Sequence, residues 1–426
     1  MVYVHELKKP SMCHVLIRDI ISGALMHSYD VAEVTSCFAI WANNLSVCLA
    51  GKPRPYKGQQ RDQWSKQPAM CLAVRDLDLS TVQKVLAHKG GHKEEIVCVA
   101  VSHDGARLSI GAKSGRISIY DCDVQDTKNV IAVMAIPPDG KVTDLAFTPT
   151  NALLLLACGS DSQHSPHSKS SSHDGDSDIG FVSCFDTTDK DKQGLSDLLW
   201  RIHLPLPAKK IQFNPDGDTV CVCMSNHTGS TGQIYLLDPL TGRTVNQIGQ
   251  GNGVGTDFKL NGVISCTYQY KSVYGIPRLL ASCGHGGQLN LWTGDDLKDQ
   301  SDLMLSSHDV HCTTCAFSSN GMHFVSGDAV GHVILRQFCM SKNQVTLVQK
   351  QRWELTGPIS NCIFLDPGLG RSTYMGFTYW CKGRLFYCFI VCSHGAIQTK
   401  RFVCFSLFPL PPSFVMDRIG NIQITF

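Results

Sequence analysis

Cys312-Thr-Thr-Cys315, with His311 directly before it, has the two-thiol spacing that can grip zinc. A tetrahedral site needs a second ligand pair, and no other CxxC stands in the chain. Other cysteines, such as Cys98, Cys221, Cys223 and Cys266, sit singly inside apolar alternating runs, where a thiol behaves as a small hydrophobe. The expectation is therefore core cysteines on a strand, with no metal. Gly249-Gln-Gly-Asn-Gly-Val-Gly255 is glycine-rich like a phosphate cradle, but no Lys-Ser or Lys-Thr follows it, so it reads as a turn between repeats. The chain contains no Gly-x-Ser-x-Gly elbow, no His-Glu-x-x-His and no Walker loop. On this reading it has no catalytic residues and no cofactor.

Two loops are better candidates for binding. Residues 51–67 carry Lys52, Arg54, Lys57 and Arg61 interleaved with Tyr56 and Trp64, a mixture suited to an acidic peptide or a single-stranded nucleic acid. Residues 161–178 are rich in Ser, His and Asp, and too polar to pack, so they are expected to be disordered. Within them Ser165, before Pro166, and Ser171, three residues before Asp174, are candidate phosphoacceptors, each gaining roughly −1.5 to −2 charge on modification. His164, His167 and His173 offer at most a weak metal site, and the solvated loop is the plainer reading. One loop is basic and the other acidic, which suggests an electrostatic clasp regulated by phosphorylation.

The rest of the composition narrows the class. Of 426 residues, 43% are hydrophobic, enough for a substantial core. Lys plus Arg number 38 against 36 for Asp plus Glu, so the surface as a whole is not built for nucleic acid. Met1 to Pro10 lacks the basic-then-apolar pattern of a signal peptide, and 20 cysteines placed as core residues imply a reducing, intracellular setting, cytoplasmic or nuclear. Leu385 to Cys392 is too short to span a bilayer, and Phe402 to Met416 is broken by Pro409, Pro411 and Pro412.

What must position these residues is a repeat. Val97-Cys-Val-Ala-Val-Ser-His-Asp-Gly105 recurs as Leu145–Asn151, Ile211–Gly217, Cys315–Gly321 and Cys362–Gly368, each an apolar strand closing on turn residues. A second element follows: Arg116-Ile-Ser-Ile-Tyr-Asp121, echoed at Gly180–Asp186, Gly232–Asp238, Gly287–Trp292 and Gly331–Arg336, with earlier copies at Val15–Asp19 and Cys71–Asp76. Tyr120 lies 45 residues after Arg75, and Arg336 lies 44 after Trp292. Four short strands per period in the forties is the pattern of propeller blades.

On these residues the chain resembles the WD-repeat family. Trp292 alone occupies the family's tryptophan position, where Arg18, Arg75, Tyr120, Phe185, Leu237 and Arg336 stand elsewhere. A Gly-His pair, Gly91-His92, precedes one repeat, and the aspartate position is filled by Ser114, Thr231, Gly286 and Val330. The family's His–Ser–Asp–Trp hydrogen-bond set is thus expected to be mostly missing. The resemblance implies an all-β, closed β-propeller of four-stranded antiparallel blades over residues 1–426, seven in number, with eight as the alternative. Six complete units are expected from about Val34 to Leu355, two outer strands from residues 11–30, and an atypical segment at 369–412. The function implied is a non-catalytic protein-protein interaction scaffold. The alternatives are a regulatory domain cut from a longer signalling protein, and a nucleic-acid-binding propeller using the 51–67 loop.

Overall fold

The computed structural model describes side chains over residues 97–120, 140–149, 154–161, 179–187, 198–248, 260–292, 308–340 and 346–364, a few positions excepted; elsewhere it describes the backbone of strands. Alternating apolar residues with glycine-bearing turns leave the chain one economical option, the antiparallel hairpin. Among the described residues regular structure is strand, apart from a single 3-10 turn at His285–Gly287. Six four-stranded sheets follow one another in chain order between Glu33 and Glu354, and in each the strands pair in the order they occur.

Both ends of the chain continue in strands. Val2–Glu6, Cys13–Arg18 and Leu25–Val31 form a three-stranded sheet, one strand more than the two expected from residues 11–30. The extra strand is Val-Tyr-Val-His-Glu, an alternation that pairs back on Cys13–Ile17. Ile359–Leu365, Ser372–Cys381 and Arg384–Ser393 make another three-stranded sheet, and Ser413–Met416 pairs with Ile422–Thr425.

The repeat is sharpest in a detail that the spacing did not show. Seven first strands carry a bulge at the same place, between Thr35 and Cys37, Ile96 and Cys98, Val142 and Asp144, Ala208 and Lys210, Val263 and Ser265, Cys312 and Thr314, and Ile359 and Asn361. A bulge leaves one residue unpaired and re-aims it. At Thr143 the freed hydroxyl donates to the Ala208 carbonyl of the following sheet at 2.8 Å, and Thr313 does the same to Ile359 at 2.6 Å. The strand irregularity is thus a sheet-to-sheet fastener.

Two compact units divide the chain: Met1–Asn226 with Leu236–Val245, and His227–Tyr235 with Asn246–Phe426. In the first, Cys98, Ile117, Ile119, Val142, Leu145, Phe147, Leu155, Phe181 and Phe185 pack as one cluster. In the second, Leu279, Cys283, Leu289, Leu291, Cys312, Phe317, Phe324 and Phe338 do so. The recurring phenylalanine of the first strand is buried at Phe147, Phe213 and Phe317 alike. The turn after it is also repeated. Ser102 Oγ accepts the Arg107 N–H while Asp104 accepts that of Ala106; Ser318 and Asn320 repeat this with His323 and Met322.

Backbone demands explain two odd positions. A Cβ on Gly284 would stand 2.0 Å from the Gly262 carbonyl oxygen, so only glycine lets these segments approach. Tyr274 is the reverse case, a bulky residue at φ 53 followed by Gly275 at φ 75. Two successive positive φ values suit Asn-Gly, and a tyrosine there costs about 1–2 kcal/mol. Tyr274→Gly is expected to raise stability by about 1 kcal/mol, read as a higher midpoint in urea.

Candidate functional site

The sheet formed by Cys312–Phe317, His323–Asp328, His332–Ser341 and Gln344–Glu354 holds a constellation with chemical potential in the second unit. Ser326 and Asp328 end its second strand, Arg336 lies on the third, and His308 comes in from the segment before the first. His308 Nδ1 stands 2.9 Å from Asp328 Oδ2, and His308 Nε2 stands 2.9 Å from Ser326 Oγ. Arg336 Nη1 donates to the same Ser326 Oγ at 3.0 Å. Asp328 Oδ1 accepts the backbone N–H groups of Val330, Gly331 and His332, and Oδ2 also meets His332 Nδ1 at 2.8 Å.

These contacts fix protonation. The carboxylate calls for a proton on His308 Nδ1, so Nε2 accepts from the Ser326 hydroxyl, whose oxygen then accepts from Arg336. Burial lowers His308 below the ordinary imidazole value, more than the Asp328 carboxylate raises it. Burial works to raise Asp328, but the His332 N–H, the two histidine rings and the Gly331 N–H outweigh it and hold the carboxyl below its usual range. Burial also pushes Arg336 down to about 10, which leaves it charged at neutral pH. Negative Asp328 and positive Arg336 are therefore joined by a neutral His–Ser relay.

Acid, imidazole and hydroxyl stand in the order of a serine nucleophile and its base, yet the geometry cannot serve a substrate. His308 and Asp328 have no exposed side-chain surface. Ser326 is wholly buried, and its oxygen already takes the guanidinium. The cluster closes the junction between strands.

A pH dependence follows, with the sign fixed by these shifts. The unfolded chain protonates its histidines near pH 6.5, whereas folded His308 and His323, both lowered by burial, bind protons only at lower pH. Folded Asp328 likewise protonates below its ordinary value of 3.8. Stability is therefore full above about pH 6.5, declines as pH drops through that value, and declines again through the carboxylate range. Melting temperatures that stay flat between neutral pH and about pH 5 would contradict the histidine part.

Three members of the His–Ser–Asp–Trp set, His308, Ser326 and Asp328, meet in this one sheet, the carboxylate coming from a position that residue types did not indicate. Val330 does fill the aspartate position, but Asp328, two residues earlier, supplies the carboxylate from the strand end. Arg336 takes the tryptophan's place in register, opposite Phe324 as Trp292 is opposite Leu280. One signal could have found it. His92 precedes Ile96 by four residues, and His308 precedes Cys312 by four, although Ser307 replaces the glycine. Trp292 shows the converse. It is fully buried, and neither its indole Nε1 nor the Ser282 hydroxyl in the corresponding position has a hydrogen-bond partner among the described residues. Trp292→Phe is expected to change stability by less than about 1 kcal/mol, since it removes an unsatisfied N–H along with some packing, while Ser326→Ala should cost about 1–3 kcal/mol. Paired urea titrations measure both.

Cys312 and Cys315 lie buried on the strand Cys312–Phe317, and Cys312 donates its thiol to the Gly327 carbonyl at 3.3 Å. The neighbouring Cys283 thiol is raised well above its ordinary value by contacts with Cys312 and Cys315 and by burial. All three cysteines are buried in the core, and Cys283 is held protonated. Lys52 lies near the end of the strand Ser46–Pro53, opposite Val34, while Arg54, Tyr56, Lys57, Arg61 and Trp64 lie outside the described residues. So do Ser165, Ser171, the insertion's histidines and Gly249–Gly255. Asp161, expected to open the insertion, instead ends a strand opposite Ile179, buried and 3.1 Å from Arg201. Arg201 in turn lies 4.5 Å over the Phe181 ring, so a paired charge closes the hairpin before the loop leaves it.

Comparison with known proteins bears on the fold. The family model "WD domain, G-beta repeat" matches residues 83–121, the stretch that contains Gly91-His92. The chain resembles the crystal structure of Chaetomium thermophilum Sqt1 bound to the N-terminus of the ribosomal protein L10, with TM-score 0.61 and 14% identity, over 87% of this chain and 86% of that one. A second crystal structure of Sqt1 from Chaetomium thermophilum gives TM-score 0.58 and 14% identity, over 84% and 81%. No curated protein sequence matches. No helix among the described residues is long and apolar enough to cross a membrane. With a G-beta repeat matched at residues 83–121, four-stranded sheets that recur along the chain and a fold shared with Sqt1, the chain carries a WD-type repeat and has the β-propeller fold.

Proposed function

We propose that this protein is a non-catalytic platform that binds other proteins. The observation that carries the reading is the sealing of the cluster that most resembles a catalytic site among the described residues. Asp328, His308, Ser326 and Arg336 spend their polar atoms on one another inside the sheet. A scaffold of this kind offers rigid sheets and leaves recognition to its loops. The likeness to Sqt1, whose structure holds the N-terminus of a ribosomal protein, supports protein as the partner class. We further propose one propeller of seven blades over residues 1–426, supported by the seven repeated first-strand bulges.

The loops proposed to select partners are 51–67, through Lys52, Arg54, Tyr56, Lys57, Arg61 and Trp64, and 161–178, through phosphorylation of Ser165 or Ser171. An intracellular, cytoplasmic or nuclear, setting agrees with the burial of the cysteines in the core. The test is chemical cross-linking of the tagged full chain in cells, followed by nuclease treatment and identification of attached proteins. Defined protein partners that survive nuclease support the platform. Partners lost on nuclease treatment, or labelling of Ser326 in the folded chain by a fluorophosphonate, would overturn it.

A further inference from the structure

The loop between strands Val263–Tyr268 and Leu279–Gly284 is unusual in being tied down while presenting large side chains outward. Tyr270 and Tyr274 are 58% and 44% exposed, and Lys271 between them is exposed too. The backbone beneath does not yield. Buried Gln269 donates to the Gly321 carbonyl at 2.8 Å and accepts the Leu279 N–H at 3.1 Å. Val273 is buried in the core cluster with Phe317 and Phe324. Turn chemistry does not explain Tyr274, because its positive φ favours glycine or asparagine. Strain of this sort persists where the side chain earns its place outside the fold.

Charge points to what meets it. From Leu260 to Trp292 the sequence holds Lys271 and Arg278 and no Asp or Glu. The adjoining stretch from Thr314 to Val325 holds none either. We propose that Tyr270, Lys271 and Tyr274 form a preorganised docking site for an acidic, extended protein segment. Tyrosines lose little entropy on binding and dominate many protein interfaces, and a lysine attracts carboxylates. Two cations are too few for nucleic acid, whose binding rests on many phosphate contacts. The inference rests on the protein-platform reading and names one of its sites.

The test uses the full chain and a fluorescein-labelled poly-glutamate peptide, followed by anisotropy at low and high salt. The expected result is binding that weakens with salt, and that weakens roughly tenfold in each of Tyr270→Ala, Lys271→Glu and Tyr274→Gly. Tyr274→Gly matters most, because it should melt no lower than the parent, so its lost binding cannot be ascribed to unfolding. Absence of binding by the parent chain, unchanged affinity in the folded variants, or equal affinity for single-stranded oligothymidylate would overturn the proposal. If cross-linked protein partners persist undiminished in these variants, the platform stands and this loop is not its site.

Discussion

Asp328→Ala is expected to lower the free energy of unfolding by about 3–5 kcal/mol, among the largest effects of any single substitution in this chain. The carboxylate has two kinds of work. It accepts three backbone N–H groups in the turn to the next strand, and it meets the rings of His308 and His332. An alanine leaves these donors without their acceptor, and the His308 ring and the Gly331 N–H are buried away from water. It also weakens the relay through Ser326 and His308 that links buried Arg336 to this carboxylate. Urea unfolding of the parent and variant measures the loss. The double variant Asp328→Ala with Arg336→Met should recover part of it, because a neutral side chain no longer needs a counter-charge. A loss under about 1 kcal/mol for Asp328→Ala would show that the network is not holding the sheet.

Phe324→Ala is expected to cost about 3–5 kcal/mol, by a different route. Phe324 has no exposed surface and its ring centroid lies 4.8 Å from that of Phe317. Phe338 stacks on Phe317 from further out, at 6.4 Å. Around them stand Leu279, Ala281, Leu289 and Leu291 from the preceding sheet. Strand backbones on both sides hold the cavity open, so it cannot collapse around alanine, and the cavity term adds to lost transfer energy. In a repeat protein each sheet leans chiefly on its neighbours, so the damage should centre on the sheets of Val263–Ser306 and Cys312–Glu354. Hydrogen exchange would show amides there losing protection first. Uniform loss across both compact units would indicate instead that the chain unfolds as one cooperative body.

Much of the fold was legible because it is local. Alternation in Val97–Val101 or Arg116–Asp121 needs only neighbouring residues to make a strand, and a turn every few residues makes the next strand pair with it. The buried phenylalanines at 147, 213 and 317 were recognisable from their recurrence alone. The candidate site was less so. Reading each turn position by residue type directed attention to Val330, where an aspartate was missing, and to Trp292, where a tryptophan was present. The hydrogen bonds require a carboxylate at a point in space, and Asp328 reaches that point from two residues upstream. Trp292 satisfies the pattern yet finds no partner for its N–H among the described residues.

The amino-acid order therefore determined by itself the strand content and the period in the forties, because these follow from periodicity and turn chemistry. Tertiary structure alone decided that Thr143 and Thr313 fasten sheets through a bulge, and that Asp328, His308, Ser326 and Arg336 meet. It also decided that Ser326, His308 and Asp328 are sealed from any substrate. Such contacts join residues far apart in the chain, and whether a polar group is neutralised or reactive depends on what surrounds it once the sheets have packed.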